Sequence, residues 1–219
     1  MDPKAPVLSL SRFFSHYFSS WFQTFAKIRM FFFRLIIVLA VATVINSTLQ
    51  SAPAISVESR PRIDPLDLVQ RIHHKINEQR RIHGLSRLVW NSPLSQIARH
   101  HSEDMSTRNY FGHVSPAGRS LRDRYARARF RCAIRRGYKI YEGAENIALG
   151  RLYNSMRRDS RGFVSYDWNT ADEIAEMTVA GWMRSPGHRR NILTSFYGQE
   201  GIGVMFGPGN KILITQNFC

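Results

Sequence analysis

The sequence predicts an α+β fold, in which helices surround a few strands and do not alternate with them regularly. Several segments begin at helix-capping residues and carry apolar side chains at helical spacing. The C-terminal region instead indicates two strands around a turn. Charged residues make up 21% and apolar residues 43% of the 219-residue chain. A sizeable packed core is therefore expected, and wholesale disorder is not.

The N-terminal region predicts a membrane-proximal leader ahead of the folded domain. Residues 1–29 are rich in aromatic side chains, and residues 30–49 are predominantly apolar over roughly the length that crosses a bilayer core. Basic residues stand just before and within the start of this segment, and residues 46–59 contain no Lys or Arg. By the positive-inside rule, the N-terminus would be cytoplasmic and the rest of the chain outside. We therefore expect a single-pass membrane protein held by a transmembrane or signal-anchor helix.

Two alternatives for the leader remain open. Cleavage as a signal peptide, with Ala52-Pro53-Ala54 as a poor cleavage site, would give a secreted protein. An ordinary buried helix is the other alternative. Residues 50–63 have the composition of a linker. Residues 64–219 form the expected domain, which is long enough to bury about two-thirds of its unfolded surface.

Four helices are predicted in this domain from capping residues and apolar spacing. They are expected from Asp64 to Gly84, from Asn91 through Met105, over about 119–129, and from Thr170 to Pro186-Gly187. Residues 201–206 and 211–218 flank a Gly-Pro-Gly-Asn turn and predict a β-hairpin. Residues 151–169 fit neither period and are interpreted as an exposed insertion.

The charge balance predicts a polyanionic neighbour, because the formal net charge is +15. Eight arginines and one acid fall within residues 119–136. This run is either a solvated helix face or a surface that meets anionic lipid or an acidic cell-envelope polymer. No nucleic acid partner is expected, because the predicted topology places the run outside the cytoplasm and aromatic residues are sparse within it.

The two cysteines, Cys132 and Cys219, exclude a disulfide-dense miniprotein and a four-cysteine zinc module. Two thiols outside the cytoplasm commonly form one bridge. The alternative is two separate thiols.

Three polar segments between the predicted elements contain residue types that could perform chemistry: His113, Glu145 and His188. Two imidazoles and a carboxylate from separate loops would form an open metal site if they converged. Spacing alone does not show convergence, and hydrogen-bonded loop histidines are the plainer interpretation. No Gly-x-Ser-x-Gly elbow or His-Glu-x-x-His pair is present, so enzymatic activity is not favoured.

The three polar segments also contain sequence motifs of a known family. Residues 111–118, 145–148 and 185–193 have the patterns F-x-H-x-S-P-x-G, E-N-I-A and S-P-G-H-R-x-N-I-L, and the ending I-T-Q-N-F follows in order. Together they resemble the CAP superfamily, whose SCP domain is shared by cysteine-rich secretory, antigen 5 and pathogenesis-related proteins. The similarity is to its compact prokaryotic branch and covers about residues 66–219.

The resemblance implies an α-β-α sandwich with a shallow ligand cleft. His113 and His188 would supply two imidazoles, associated in the family with zinc or another divalent cation, and Glu145 would supply the first acid. Ser185 stands where the second acid is usual, and Ala144 stands where Gly is common. Both departures weaken a catalytic role, so ligand binding is the expected function. The alternative is a metal-assisted hydrolase of peptide or cell-envelope polymer, with Glu145 as the base.

Overall fold

The computed structural model describes residues 59–219, which lie within one compact unit, Val57–Cys219. The predicted leader, residues 1–29, and the predicted membrane segment, residues 30–49, lie outside the described residues. Within the described part of the chain, no helix is long and apolar enough to cross a membrane.

The described residues form five α-helices and eight strands. The helices are α1 (Pro65–Ile82), α2 (Ser92–Thr107), α3 (Leu121–Arg127), α4 (Ala171–Arg184) and α5 (Pro186–Ile192). The strands are β1 (Val89–Trp90), β2 (Ile134–Arg136), β3 (Lys139–Tyr141), β4 (Ala144–Arg151), β5 (Tyr153–Arg158), β6 (Val164–Trp168), β7 (Gln199–Gly207) and β8 (Lys211–Phe218).

A four-stranded sheet in the order β1-β7-β8-β4 is the centre of the fold. β1 runs parallel to β7, and the other pairs are antiparallel. Helix α2 packs against β7 and β8, while α1 packs against α4 and β7, and α5 contacts β4. Strands β2–β3 and β5–β6 form separate two-stranded hairpins. The sequence prediction of an α+β fold is confirmed, with helices on both sides of the sheet.

The two faces of β7 explain how the helices approach the sheet, because successive strand residues point to opposite faces. Ile202 belongs to the main core beside α1 and α4. Gly201 and Gly203 meet α2 on the other face. A Cβ on Gly203 would lie 2.0 Å from the backbone nitrogen of Arg99, and one on Gly201 would lie 2.1 Å from that of Ser95. Helix α2 therefore lies directly on the sheet backbone.

The helix predictions are confirmed by their capping contacts. The Asp64 carboxylate accepts from the backbone N–H of Leu66 at the start of α1. Thr170 and Glu173 form the expected capping box of α4. Helix α3 is shorter than predicted, because Ser120 caps its start by a second capping box. Pro186 does end α4, but it also begins α5, since proline suits a first helical position.

Residues 151–169 are mostly exposed, as expected for an exposed insertion, but they form regular strands that the sequence period did not reveal. They contain β5 and β6, which pair antiparallel with an irregularity between Tyr153 and Ser155. That irregularity breaks the strict alternation by which an amphipathic strand is recognised. The C-terminal hairpin of β7 and β8 is confirmed, with a 3-10 turn at Pro208–Asn210 between its strands.

A disulfide joins Cys132 to Cys219, with their Cα atoms 5.6 Å apart. Cys132 is buried in a small cluster that includes Leu94, Ile97 and Tyr125. Because Cys219 directly follows β8, the bridge ties the segment after α3 to the end of the central sheet. The predicted pairing is present in the structure.

Candidate functional site

Glu145 lies at the centre of the predicted site, on strand β4 and not in a loop. Its side chain is only 3% exposed. Oε1 lies 2.9 Å from Nδ1 of His113, and Oε2 accepts from Nη2 of Arg124 at 2.6 Å. Both carboxylate oxygens are therefore engaged by charged or polar partners, which is how a buried carboxylate is usually accommodated.

The contact with Glu145 orients the His113 ring. A carboxylate only accepts hydrogen bonds, so Nδ1 of His113 is the protonated nitrogen and donates to it. In the neutral ring, Nε2 then carries the lone pair. The His113 side chain is 52% exposed. The buried carboxylate thus presents an accessible imidazole nitrogen that can accept a hydrogen bond or bind a cation.

His188 lies beside His113, on α5, with the two ring centroids 6.5 Å apart. Burial, and secondarily the nearby His113 imidazole, lower the pKa of His188. The ring of His188 is therefore mostly neutral at pH 7. Asn191 holds α5 against β4, since its side-chain amide donates to the backbone oxygen of Glu145 at 3.2 Å. The three predicted residues are brought together at the junction of β4 and α5.

His101 and Arg124 are parts of this site that the sequence reasoning missed. Nε2 of His101 lies 3.7 Å from Oε1 of Glu145 and 3.1 Å from the backbone oxygen of Gly112. Burial lowers the pKa of His101. His101 falls on the buried face of α2, which it shares with Ile97 and Met105. Arg124 was grouped with the basic run, but its side chain is only 10% exposed.

A groove of about 520 Å³ runs from this junction along the sheet. Ser185 and His188 line one end of it. Met177 and Gly181 of α4 line one wall, and Tyr153 lies at the far end. Ser185, predicted as part of the cleft in place of an acid, therefore lines the same groove as His188.

The donor set only partly fits a metal ion. Within residues 59–219, no group of three or more His, Cys, Asp or Glu side chains is arranged to hold one. His113 and His188 offer two imidazoles, whereas catalytic zinc sites use three protein ligands. Glu145 does not supply the third, because His113 and Arg124 already engage both of its oxygens. A cation held here would need its remaining ligands from water or from a bound molecule.

A chain of buried polar side chains links the site to α1 on the far side of β8. Oδ1 of Asn146 accepts from Asn191 at 2.8 Å, and the Asn146 amide donates to Gln216 at 3.0 Å. Gln216 donates to Glu200 at 2.5 Å, and Glu200 contacts Nδ1 of His73 at 2.5 Å. Each buried polar group is satisfied by its neighbour, so the chain fixes the relative positions of β4, β7, β8 and α5.

The helix-sheet-helix layers, the converging imidazoles and the buried carboxylate define an SCP-type domain. Residues 73–218 match the family model described as CAP, the cysteine-rich secretory protein family. The chain belongs to the CAP family, and the resemblance to its prokaryotic branch is confirmed.

Bacterial relatives support this assignment. The chain is 35% identical over 137 residues to the uncharacterized membrane protein YlbC of Bacillus subtilis, covering 62% of this chain and 30% of YlbC. It is 28% identical over 164 residues to the uncharacterized protein YkwD of the same organism, covering 73% of this chain and 52% of YkwD. The chain thus spans about half the length of YkwD and less than a third of the length of YlbC.

Two solved structures share the fold. An extracellular protein of Bacillus anthracis that contains an SCP domain is 29% identical, with a TM-score of 0.50, over 70% of this chain and 40% of that one. An outer surface protein of Borrelia burgdorferi is 14% identical, with a TM-score of 0.50, over 73% of this chain and 97% of that one. The second similarity shows the fold alone.

Proposed function

We propose that this chain is a membrane-anchored, extracytoplasmic SCP-domain protein whose cleft binds a ligand through His113 and His188. The observation that carries the proposal is that His188 lines the groove while its ring centroid lies 6.5 Å from that of His113. Glu145 acts as a positioning residue, because its carboxylate is buried and orients His113. The apolar predicted segment 30–49 and the relative named as a membrane protein support the anchor.

The groove favours a ligand with a polar head and a long apolar body. The head would meet the imidazoles, while the body would follow the groove past Met177 and Gly181 towards Tyr153. The hydrolase alternative is less well supported. A general base needs a carboxylate oxygen free to accept a proton from water, and both oxygens of Glu145 are engaged.

Dodecanoate is expected to raise the melting temperature of the Val57–Cys219 unit, since it combines an anionic head with an alkyl chain. Gly181→Met is expected to abolish this shift by filling the groove. A Cβ at Gly181 has no heavy atom within 4 Å, and glycine is a poor residue inside a helix, so the variant should fold at least as well. The measurement is thermal unfolding with and without dodecanoate.

The double variant His113→Ala, His188→Ala should also lose the shift, because the head contacts are removed. The matched control is His74→Ala, His100→Ala, which changes two exposed histidines away from the cleft. Equal shifts in wild type, Gly181→Met and the cleft double variant would reject the proposed ligand site.

Zinc alone is expected to bind weakly, and the cleft double variant should lower its affinity at least about tenfold relative to the same control. Calorimetric titration would measure this. Protons compete with the metal for imidazole nitrogen, so affinity should fall as the pH falls. The pKa of His188 is lowered, so His188 becomes protonated only below the ordinary histidine value of about 6.5. Its contribution to zinc affinity is therefore lost only below that pH. Identical zinc affinity in both double variants would exclude a cation at these imidazoles.

A further inference from the structure

The outer half of the β5–β6 hairpin takes no part in the cleft described above. We call residues 156–163 the hairpin tip. Its apolar side chains are exposed, with Met156 at 50% and Phe163 at 64%. Three exposed arginines, Arg157, Arg158 and Arg161, lie between them, with Asp159 as the one acid of the tip.

The base of this hairpin holds the tip in a defined position. Tyr153 and Tyr166 contact each other with ring centroids 4.9 Å apart, and Tyr166 stacks on Trp168 at 4.7 Å. Trp168 in turn packs against the main core. Met156 pairs with Tyr166 in the strand register. The tip is therefore presented by a packed aromatic base that is continuous with the core.

The start of the described chain lies beside this base. Residues 60–63 share a small pocket with Leu152 and Phe206, and Leu152 directly precedes β5. The guanidinium carbon of Arg60 lies 6.0 Å from the centre of the Phe206 ring. The chain that precedes residue 60 thus joins the domain at the end that carries the hairpin.

The short length of the linker limits the distance between the hairpin end of the domain and the predicted membrane segment. The predicted membrane segment ends at residue 49, and the ten residues 50–59 span at most about 35 Å when fully extended. An exposed tip of Phe, Met and Arg has the chemistry that binds a bilayer surface. The apolar side chains enter the interface, and the guanidinium groups meet lipid phosphates.

We propose that the hairpin tip contacts the anionic surface of the bilayer to which the chain is tethered. The contact would fix the orientation of the domain relative to the bilayer surface. Arginine suits this place because its planar guanidinium forms paired hydrogen bonds with phosphate oxygens.

The β2–β3 hairpin provides an internal comparison, because its tip has similar chemistry. Tyr138 and Ile140 are exposed there among basic residues. This hairpin lies by Phe196, whose ring centroid is 4.5 Å from that of Tyr141. Phe196 precedes β7, whereas Phe206 lies near the end of β7, so about 25 Å of strand separates the two ends. Because the linker joins the domain at the β5–β6 end, we expect the β5–β6 tip, and not the β2–β3 tip, to contact lipid.

The test uses the full chain in nanodiscs of phosphatidylcholine alone or mixed equally with phosphatidylglycerol. Trypsin cleavage after Arg157, Arg158 and Arg161 is followed by mass spectrometry. We expect cleavage at these sites to be about tenfold slower or more in the anionic discs. Cleavage after Arg135 and Arg136 of the β2–β3 hairpin should be the same in both lipids.

Met156→Ser with Phe163→Ser should remove the protection and keep the cleavage sites, while Tyr138→Ser should leave it intact. All three side chains are exposed, so the melting temperatures should match wild type. Equal cleavage of the β5–β6 tip in both lipids would overturn the proposal. Protection confined to the β2–β3 hairpin would overturn it as well, by assigning lipid contact to the opposite end of the domain.

Discussion

Replacing Arg124 by methionine is expected to lower the free energy of unfolding by about 3–5 kcal/mol. The guanidinium is 10% exposed and its partner, the Glu145 carboxylate, is 3% exposed. Methionine fills a similar volume but leaves the carboxylate buried without its cation. The loss also removes the hydrogen bond from Arg124 to the backbone oxygen of His113, which is 3.0 Å long. Urea denaturation of the Val57–Cys219 unit would measure the change.

The effect should depend on the charge of Glu145. In the double variant Arg124→Met, Glu145→Gln, much of the stability should return, because no unpaired charge remains in the interior. Arg127→Met is the matched control, since Arg127 lies one turn along α3 and is exposed. If Arg124→Met were no more destabilising than this control, the ion pair would not be a structural element of the site.

Removal of the disulfide by Cys132→Ser with Cys219→Ser should cost about 4–5 kcal/mol in the chain-entropy model. The bridge joins residues 87 positions apart, so it strongly restricts the unfolded chain. The measurement is equilibrium unfolding of the wild type and the double variant over the same series of denaturant concentrations. Wild type treated with a reductant should approach the variant. A difference below about 1 kcal/mol would mean that the native contacts around Cys219 hold the C-terminus without the bridge.

Local signals made the helices predictable from the sequence. Asp64 and Thr170 are capping residues whose contacts involve neighbours only a few positions away. The strands were harder to predict. β4 pairs only with β8, about 65 residues along the chain, so its placement depends on the tertiary fold and on no local pattern. The β5–β6 hairpin is local in sequence, and it was missed for a different reason, namely that its alternation is interrupted.

The candidate site was predicted in outline through motifs, because His113, Glu145 and His188 stand in segments with family patterns. Their partners were not. Arg124 is one of eight arginines in a basic run, and nothing in the sequence separates the buried one from its exposed neighbours. Only the three-dimensional approach of α3 to β4 distinguishes it, which is a property of packing.

The contact of α2 with Gly201 and Gly203 limits how this domain can change over evolution. The strand contributes no side chain at these two positions, so no change of rotamer there can accommodate a tilt or slide of the helix. We therefore expect α2 and β7 to keep the same relative position in related domains, as one rigid unit that supports the site around Glu145. New ligand specificities would have to arise through substitutions in the groove walls and the hairpins, where side chains can change without moving α2 relative to β7.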